Sequence, residues 1–447
     1  GTRAGRMDNQ IPEPVKTSRS EVLLALEKQM SEEYRSRFVG KEALACVGGS
    51  SSQIINLIVG FFVGLSSGAT VIIAQYYGAR DEKNLQDTLH TAIAFSIVGS
   101  FVISILGIVL SPIILRLMNT PEYLMADSLL YLRFYFGGII FIFIYNIGSG
   151  ILRAVGDSKN PLYFLIFCCF CNIFLDLLLV MVFHMGVLGV ALGTLISQAL
   201  SSVLILRNLM RAKDIYRLEL RKIRLHAAPL SMLLKIGLPS GLQSTMYNIA
   251  NMVIQTALNS FGTDTMAAWT AFGKVDSFYW MISSAFGVAI TTFVGQNYGA
   301  GKPERIWSGI KASTLMMVVY TAVTFLILMV GAKSFALIFV DPSEVEILEK
   351  TELFLHISVS FFPMLGLLCI LRYTIQGVGY TNLAMFSGVS EMIARILVSI
   401  CAVPAFGFIA VCFGDPMAWV AADLFLIPAF IYVYRRLKRQ VLTSAVS

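Results

Sequence analysis

Charged side chains are scarce in this chain. Asp, Glu, Lys and Arg together make up 14% of its 447 residues, where soluble domains carry about 25%. With 56% hydrophobic residues and a mean hydropathy of +0.74, that deficit excludes a water-coated globular surface. Histidine is rarer still, at four residues. No His/Glu metal spacing and no nucleophile–base pair falls within the apolar stretches, so no catalytic residue, metal set or cofactor is assigned and an enzyme is not expected. The seven cysteines form no disulfide or metal pattern. Cys46, Cys369, Cys401 and Cys412 stand singly, while Cys168, Cys169 and Cys171 cluster inside an apolar run as small packing residues. The net charge of +7 lies in loops flanking apolar runs, which speaks against a nucleic-acid partner and for a lipid bilayer.

Apolar runs are what the chain has in abundance. Spans long enough to cross a bilayer are predicted near 50–76, 89–115, 125–152, 161–184 and 186–210, and again near 234–260, 266–297, 306–331, 350–375, 381–404 and 408–434. The expected class is an all-α polytopic membrane protein. Its organisation reads as a polar tail (1–36), an N-lobe (37–210), a basic connector (211–233), a C-lobe (234–440) and a short C-terminal tail (441–447). The tail carries nine charges between Glu13 and Ser36, and at about 2.5–3.5 kcal/mol each at a bilayer centre it is not expected to span. Twenty Lys or Arg fall in loops on the connector's side of the membrane, against five opposite. The positive-inside rule therefore makes the connector and the C-terminus cytoplasmic.

Two halves repeat. Ala74-Gln-Tyr-Tyr-Gly-Ala79 returns as Gly295-Gln-Asn-Tyr-Gly-Ala300 at an offset of 221 residues, and Ala154-Val-Gly-Asp-Ser158 returns loosely as Gly377-Val-Gly-Tyr-Thr381 at 223. Both copies fall on the same side of the membrane, so the repeat is parallel, and transporters built this way carry their site between the halves. Span 234–260 should have a partner near 11–37, which is the charged tail. The expectation is two pseudo-symmetric lobes of six helices each, with five and six visible and the first absent or replaced.

The candidate site residues are carboxylates in apolar surroundings, each a functional hypothesis by its cost. Asn172 and Asp176 lie four apart on one helix face, suited to taking up a proton or, through hard oxygen ligands, sodium. Asp276, with Gln53 as its repeat counterpart, is a candidate second cation or substrate site, or else pairs with Lys274. Glu391 and Arg395 read as an i,i+4 pair, structural or gating. His184 and His356 read as structural. Gly60, Gly64 and Gly68, like Gly189 and Gly193, are spaced for close helix packing, and Pro239 and Pro363 should kink their helices.

The stretches Arg37-Phe-Val-Gly-Lys-Glu-Ala-Leu-Ala45, Ile73-Ala-Gln-Tyr-Tyr-Gly-Ala79, Tyr145-Asn-Ile-Gly-Ser-Gly-Ile-Leu-Arg-Ala-Val-Gly-Asp-Ser158 and Val294-Gly-Gln-Asn-Tyr-Gly-Ala-Gly-Lys-Pro-Glu-Arg305 resemble the multidrug and toxic compound extrusion (MATE) family, closest to its bacterial DNA-damage-inducible-like branch. The resemblance implies a multi-pass plasma-membrane antiporter, monomeric, that exports organic cations by alternating access against proton or sodium entry. In that branch an Asn and an Asp four apart in the fifth helix bind the coupling cation, and Asn172 and Asp176 match them. The Asp that the branch carries in its first helix has no counterpart, since the aligned stretch reads Gln29-Met-Ser-Glu-Glu-Tyr34. Two alternatives stay open: a truncated, inactive transporter, and a lipid-linked oligosaccharide flippase. The flippase needs a strongly cationic cavity, and away from span ends only Arg133, Lys274 and Arg395 are basic.

Overall fold

The computed structural model describes residues 50–117, 120 and 122–444, and among these every regular element is helical. In chain order they are α1 Ser50–Ala79, α2 Glu82–Leu117, α3 Glu122–Gly137, α4 Ile139–Ala154, α5 Lys159–Leu177, α6 Gly186–Arg211, α7 Ala227–Asn259, α8 Thr263–Gly299, α9 Pro303–Ala336, α10 Val345–Val378, α11 Thr381–Leu397, the short α12 Val403–Phe406 and α13 Phe408–Cys412, and α14 Gly414–Ser444. Nine helices among the described residues are long and apolar enough to cross a membrane, and α3 with α4 forms a tenth span bent by 45°. Five spans, α1 to α6, build one lobe, and α7 to α14 build the other. The expected replacement of a first helix concerns residues 1–36, which lie outside the described residues.

Three departures from the sequence expectation have physical causes. The span expected at 125–152 breaks at Gly137-Gly138 with a bend of 45°, a glycine pair being a site where helices bend sharply at low cost, and the Leu195 side chain of α6 packs against Gly138. The spans at 161–184 and 381–404 each end in a π turn, Leu178–Val182 and Val398–Ala402, at equivalent places in the two halves. The span expected at 408–434 begins later, because Gly407 (φ +61°) turns the chain between two short helices before α14 starts at Gly414.

The lobes meet along α1 and α7. Cβ atoms on Gly64 and Gly68 would lie 2.5 Å from the Ser240 carbonyl oxygen and 2.6 Å from Gly237 Cα, and one on Gly237 would lie 2.5 Å from the Leu65 carbonyl. Small residues on both faces let two backbones touch. α7 itself is 33 residues long yet falls short of the other spans in apolarity. The structure gives the reason: its Ser240, Gln243, Ser244 and Asn248 face an inter-lobe cavity rather than lipid.

The basic connector is docked, not loose. Leu218 N–H donates to the Leu209 carbonyl at 3.0 Å. His90 of α2 bonds the Gln86 carbonyl through Nδ1 (2.7 Å) while its Nε2 accepts from the Glu219 N–H (3.0 Å). Asp214 accepts from Tyr77 Oη at 2.9 Å and from the Ile215 N–H at 2.8 Å, with Arg80 at 3.7 Å. The Ile215 amide first, then the Tyr77 hydroxyl and Arg80, hold its carboxyl below the usual carboxylate value. A depressed folded pKa contributes stability that is present above the unfolded value, about 3.9, and lost as pH falls through the folded one. Hydrogen-exchange protection over residues 212–219, relative to the unfolded chain at the same pH, is therefore expected to hold from pH 7 down to about 4 and to fall only below that, whereas Asp214→Asn lowers it at neutral pH. Equal protection in the Asn variant would remove Asp214 from this role.

Candidate functional site

A cavity of about 510 Å³ lies between the lobes. Its walls come from α1, α7, α8, α10 and α11, and Arg153 enters from the last turn of α4. Most hydroxyls on its walls bond their own helices: Ser66, Ser67, Thr70, Ser240 and Ser244 each donate to a carbonyl three or four residues earlier, while Thr291 of α8 donates to the Tyr373 carbonyl of α10 at 3.2 Å. Gln376 Nε2 donates to Gln243 Oε1 at 3.0 Å across α10 and α7. The Tyr247 and Trp280 rings lie 5.8 Å apart and 59° from coplanar, an aromatic corner for a flat ligand.

On the basic-loop side the cavity is closed by the repeated motifs. Gln75 Nε2 donates to the Gly377 carbonyl at 3.0 Å, and Gln296 Nε2 donates to the Ala154 carbonyl at 2.7 Å. These are equivalent bonds, since each glutamine of one lobe holds the end of the matching helix in the other. Between them α1 and α8 cross so tightly that Cβ atoms on Gly78 and Gly299 would lie 1.9 Å from the Gln296 carbonyl oxygen and 1.8 Å from that of Gln75. Only glycine admits this crossing.

A charge network occupies the C-lobe. Glu391 pairs with Arg372 and, at 3.4 Å, with Arg395. Arg395 also bonds Asp415 at 2.9 Å and covers the Tyr247 ring at 5.3 Å. Arg372 Nε donates to Ser387 Oγ at 3.0 Å. Asp276 (9% exposed) and Asp423 (3%) are buried nearby, with Asp276 Oδ1 and both Asp423 oxygens lacking a hydrogen-bond partner.

Glu391 and Arg395 thus meet as the spacing suggests, but within a larger set. Asp276 does not pair with Lys274: two residues apart, they point to different faces, and Lys274 is exposed. Gln53 falls in the first turn of α1, and its side chain lies outside the described residues. Asn172 Nδ2 approaches Asp176 Oδ1 at 3.5 Å, and a Cβ on Gly193 of α6 would sit 2.2 Å from that oxygen. Neither residue lines the inter-lobe cavity. His184 is an exposed residue with φ +52°, and Arg133 is exposed.

The expectation that only Arg133, Lys274 and Arg395 are basic away from span ends needs correcting at Arg372, which lies inside α10. Arg153 sits at the end of its span as expected, in the last turn of α4, yet both arginines line the cavity. Arg372, Asp415 and Asp423 were missed as site residues. Arg372 lies six positions before the end of α10, nearly two helical turns inside it, and Asp423 lies mid-helix in an apolar run. That position was the available signal.

The family model MatE matches residues 34–178 and 239–401. The chain belongs to the MATE family. Over 341 residues, 76% of each chain, it is 29% identical to "Probable multidrug resistance protein YpnP" of Bacillus subtilis (strain 168). Over 413 residues, covering 90% of this chain and 88% of the other, it is 26% identical to "Probable multidrug resistance protein YoeA" of the same organism. Its fold matches the MATE crystal structure described as the bent conformation with a TM-score of 0.84 at 20% identity, covering 96% of this chain and 95% of that one. The two-lobed helical architecture and the multi-pass membrane character accord with the family.

Proposed function

We propose that this chain is a secondary active exporter that moves small organic molecules out of the cell by alternating access, driven by entry of protons or sodium. The observation that carries this reading is the reciprocal Gln75–Gly377 and Gln296–Ala154 closure beneath a polar inter-lobe cavity. The basic loops lie on the closed side, so by the positive-inside rule that side, the connector and the C-terminus are cytoplasmic, and the cavity belongs to an outward-facing state. Opening inward requires both bonds to break together, as expected of two lobes related by a pseudo-twofold axis along the membrane normal. The multidrug resistance names of the two Bacillus relatives support small-molecule cargo.

The coupling ion enters at Asp176 with Asn172, where the Asn172 amide nitrogen faces the carboxylate on one side of α5, close to α6. A proton neutralises the carboxylate, and sodium would take the carboxylate together with the amide oxygen once the amide turns over. Either drives the lobes only by binding one state better than the other. In the C-lobe, Asp276 and Asp423 exceed what Arg372 and Arg395 can balance beside Glu391 and Asp415, which offers incoming positive charge a second place.

Proteoliposomes carrying the protein, tested separately with ethidium and with carboxyfluorescein under an imposed proton or sodium gradient, check this reading. Asp176→Asn is expected to abolish gradient-driven movement of whichever probe the wild type moves, because the gradient then binds neither state preferentially at this site, without loss of folded protein. Full transport in the Asn variant would move coupling away from Asp176, and no gradient-driven movement of any probe by wild type would end the exporter reading.

A further inference from the structure

Among the side chains that line the inter-lobe cavity, one charge has no ion-pair partner among the described residues. Three charged residues line it: Arg153, Arg372 and Glu391. Glu391 is already held by two arginines, Arg372 and Arg395, so it has little attraction left for a ligand cation. Arg153 is in none of the ion pairs among the described residues, and its Nε is buried with no hydrogen-bond partner. A guanidinium on the cavity wall with no ion-pair partner of its own presents planar donors suited to a carboxylate or phosphate.

We propose that the cavity takes an organic oxyanion on a flat aromatic frame, with Arg153 binding the charged group and the Tyr247–Trp280 corner receiving the rings. This rests on the exporter reading and names its substrate class. The lining of α1 runs from Gly60 to Val71, about 17 Å at 1.5 Å per residue. A cavity near 510 Å³ is within the usual range for a small-molecule site, about 300–1,000 Å³. An anion seated on Arg153 lies one residue from the Ala154 carbonyl that Gln296 holds, so cargo and closure touch the same turn of α4. A basic residue in the last turn of a helix also complements its C-terminal dipole, but that role alone gives no preference for the sign of a ligand's charge.

Binding to the purified full chain, read by fluorescence anisotropy and competition, tests this independently of transport. Carboxyfluorescein and an aromatic disulfonate serve as soluble anions, farnesyl diphosphate as a lipid-borne one, and ethidium as the cation. Wild type is expected to bind the aromatic anions at least about tenfold more tightly than ethidium. Arg153→Gln is expected to weaken them by about tenfold or more while leaving ethidium unchanged or improved, and Arg153→Lys should recover part of the loss. Tighter farnesyl diphosphate than either aromatic anion would overturn the aromatic frame in favour of a lipid cargo. Tighter ethidium, no anion bound, or anion binding indifferent to Arg153→Gln would overturn the inference. Ethidium bound and exported leaves the exporter reading standing without it; anions bound through Arg153 but unmoved by any gradient leave the inference standing without the exporter.

Discussion

Gly299→Ala is expected to force open the side of the protein that Gln75 and Gln296 close. A methyl there would have to occupy space 1.8 Å from the Gln75 carbonyl oxygen, and Gly78→Ala faces the Gln296 carbonyl at 1.9 Å. Backbone, unlike the tip of a long side chain, cannot swing aside, so α1 and α8 must separate by an ångström or more. Overpacking of this kind costs about 1–3 kcal/mol, and the loss falls on the closed arrangement alone. Both glutamine bonds between the lobes span this crossing and should break with it. Hydrogen exchange over residues 74–79 and 295–300 is expected to quicken by about an order of magnitude or more, and transport to fall. Gly273→Ala on the same helix, where nothing lies within 4 Å, is the control and should change neither. Wild-type exchange in Gly299→Ala would mean that the crossing does not hold the lobes.

Glu391→Gln should be the most destabilising single exchange in the C-lobe. Glu391 is 3% exposed and Arg395 1% exposed, and the carboxylate stands between two guanidinium groups. Removing its charge leaves Arg372 without an ion-pair partner among the described residues and Arg395 with Asp415 alone. Breaking a buried pair costs about 3–5 kcal/mol, most of it the penalty of the charge left behind. The melting temperature in detergent should fall by several degrees, and the double change Glu391→Gln with Arg372→Gln should recover part of the loss, because it removes the stranded charge as well. A Glu391→Gln protein melting with the wild type, or a double variant worse than the single one, would contradict this account of the network.

How much of this was legible beforehand differs between the two parts of the molecule. The spans, their number in each half and the motif repeat follow from apolar run length and an offset near 222 residues, properties that a helix crossing lipid imposes along the chain. The glycine stripe of α1 was legible as a packing face, though its partner, the Gly237–Gly241 face of α7, was not. Glu391 and Arg395 were legible as a pair because four residues is one turn. Asp415 and Arg372 were not, since they arrive from other helices, and neither was the bend at Gly137-Gly138, beside which Leu195 of α6 packs.

That this protein is helical, membrane-spanning and twofold repeated could be read along the chain, and so could the interest of Asp176, Asp276 and Glu391, because the cost of a charge in lipid is a local matter that each residue carries with it. Which charges are balanced emerges from the packing of the helices. Glu391 has two arginines, Asp423 has none within hydrogen-bond distance, and Arg153 faces a cavity instead of a loop. Electrostatic balance depends on distances between helices far apart in the chain, so the sign of the cavity comes from packing and not from composition.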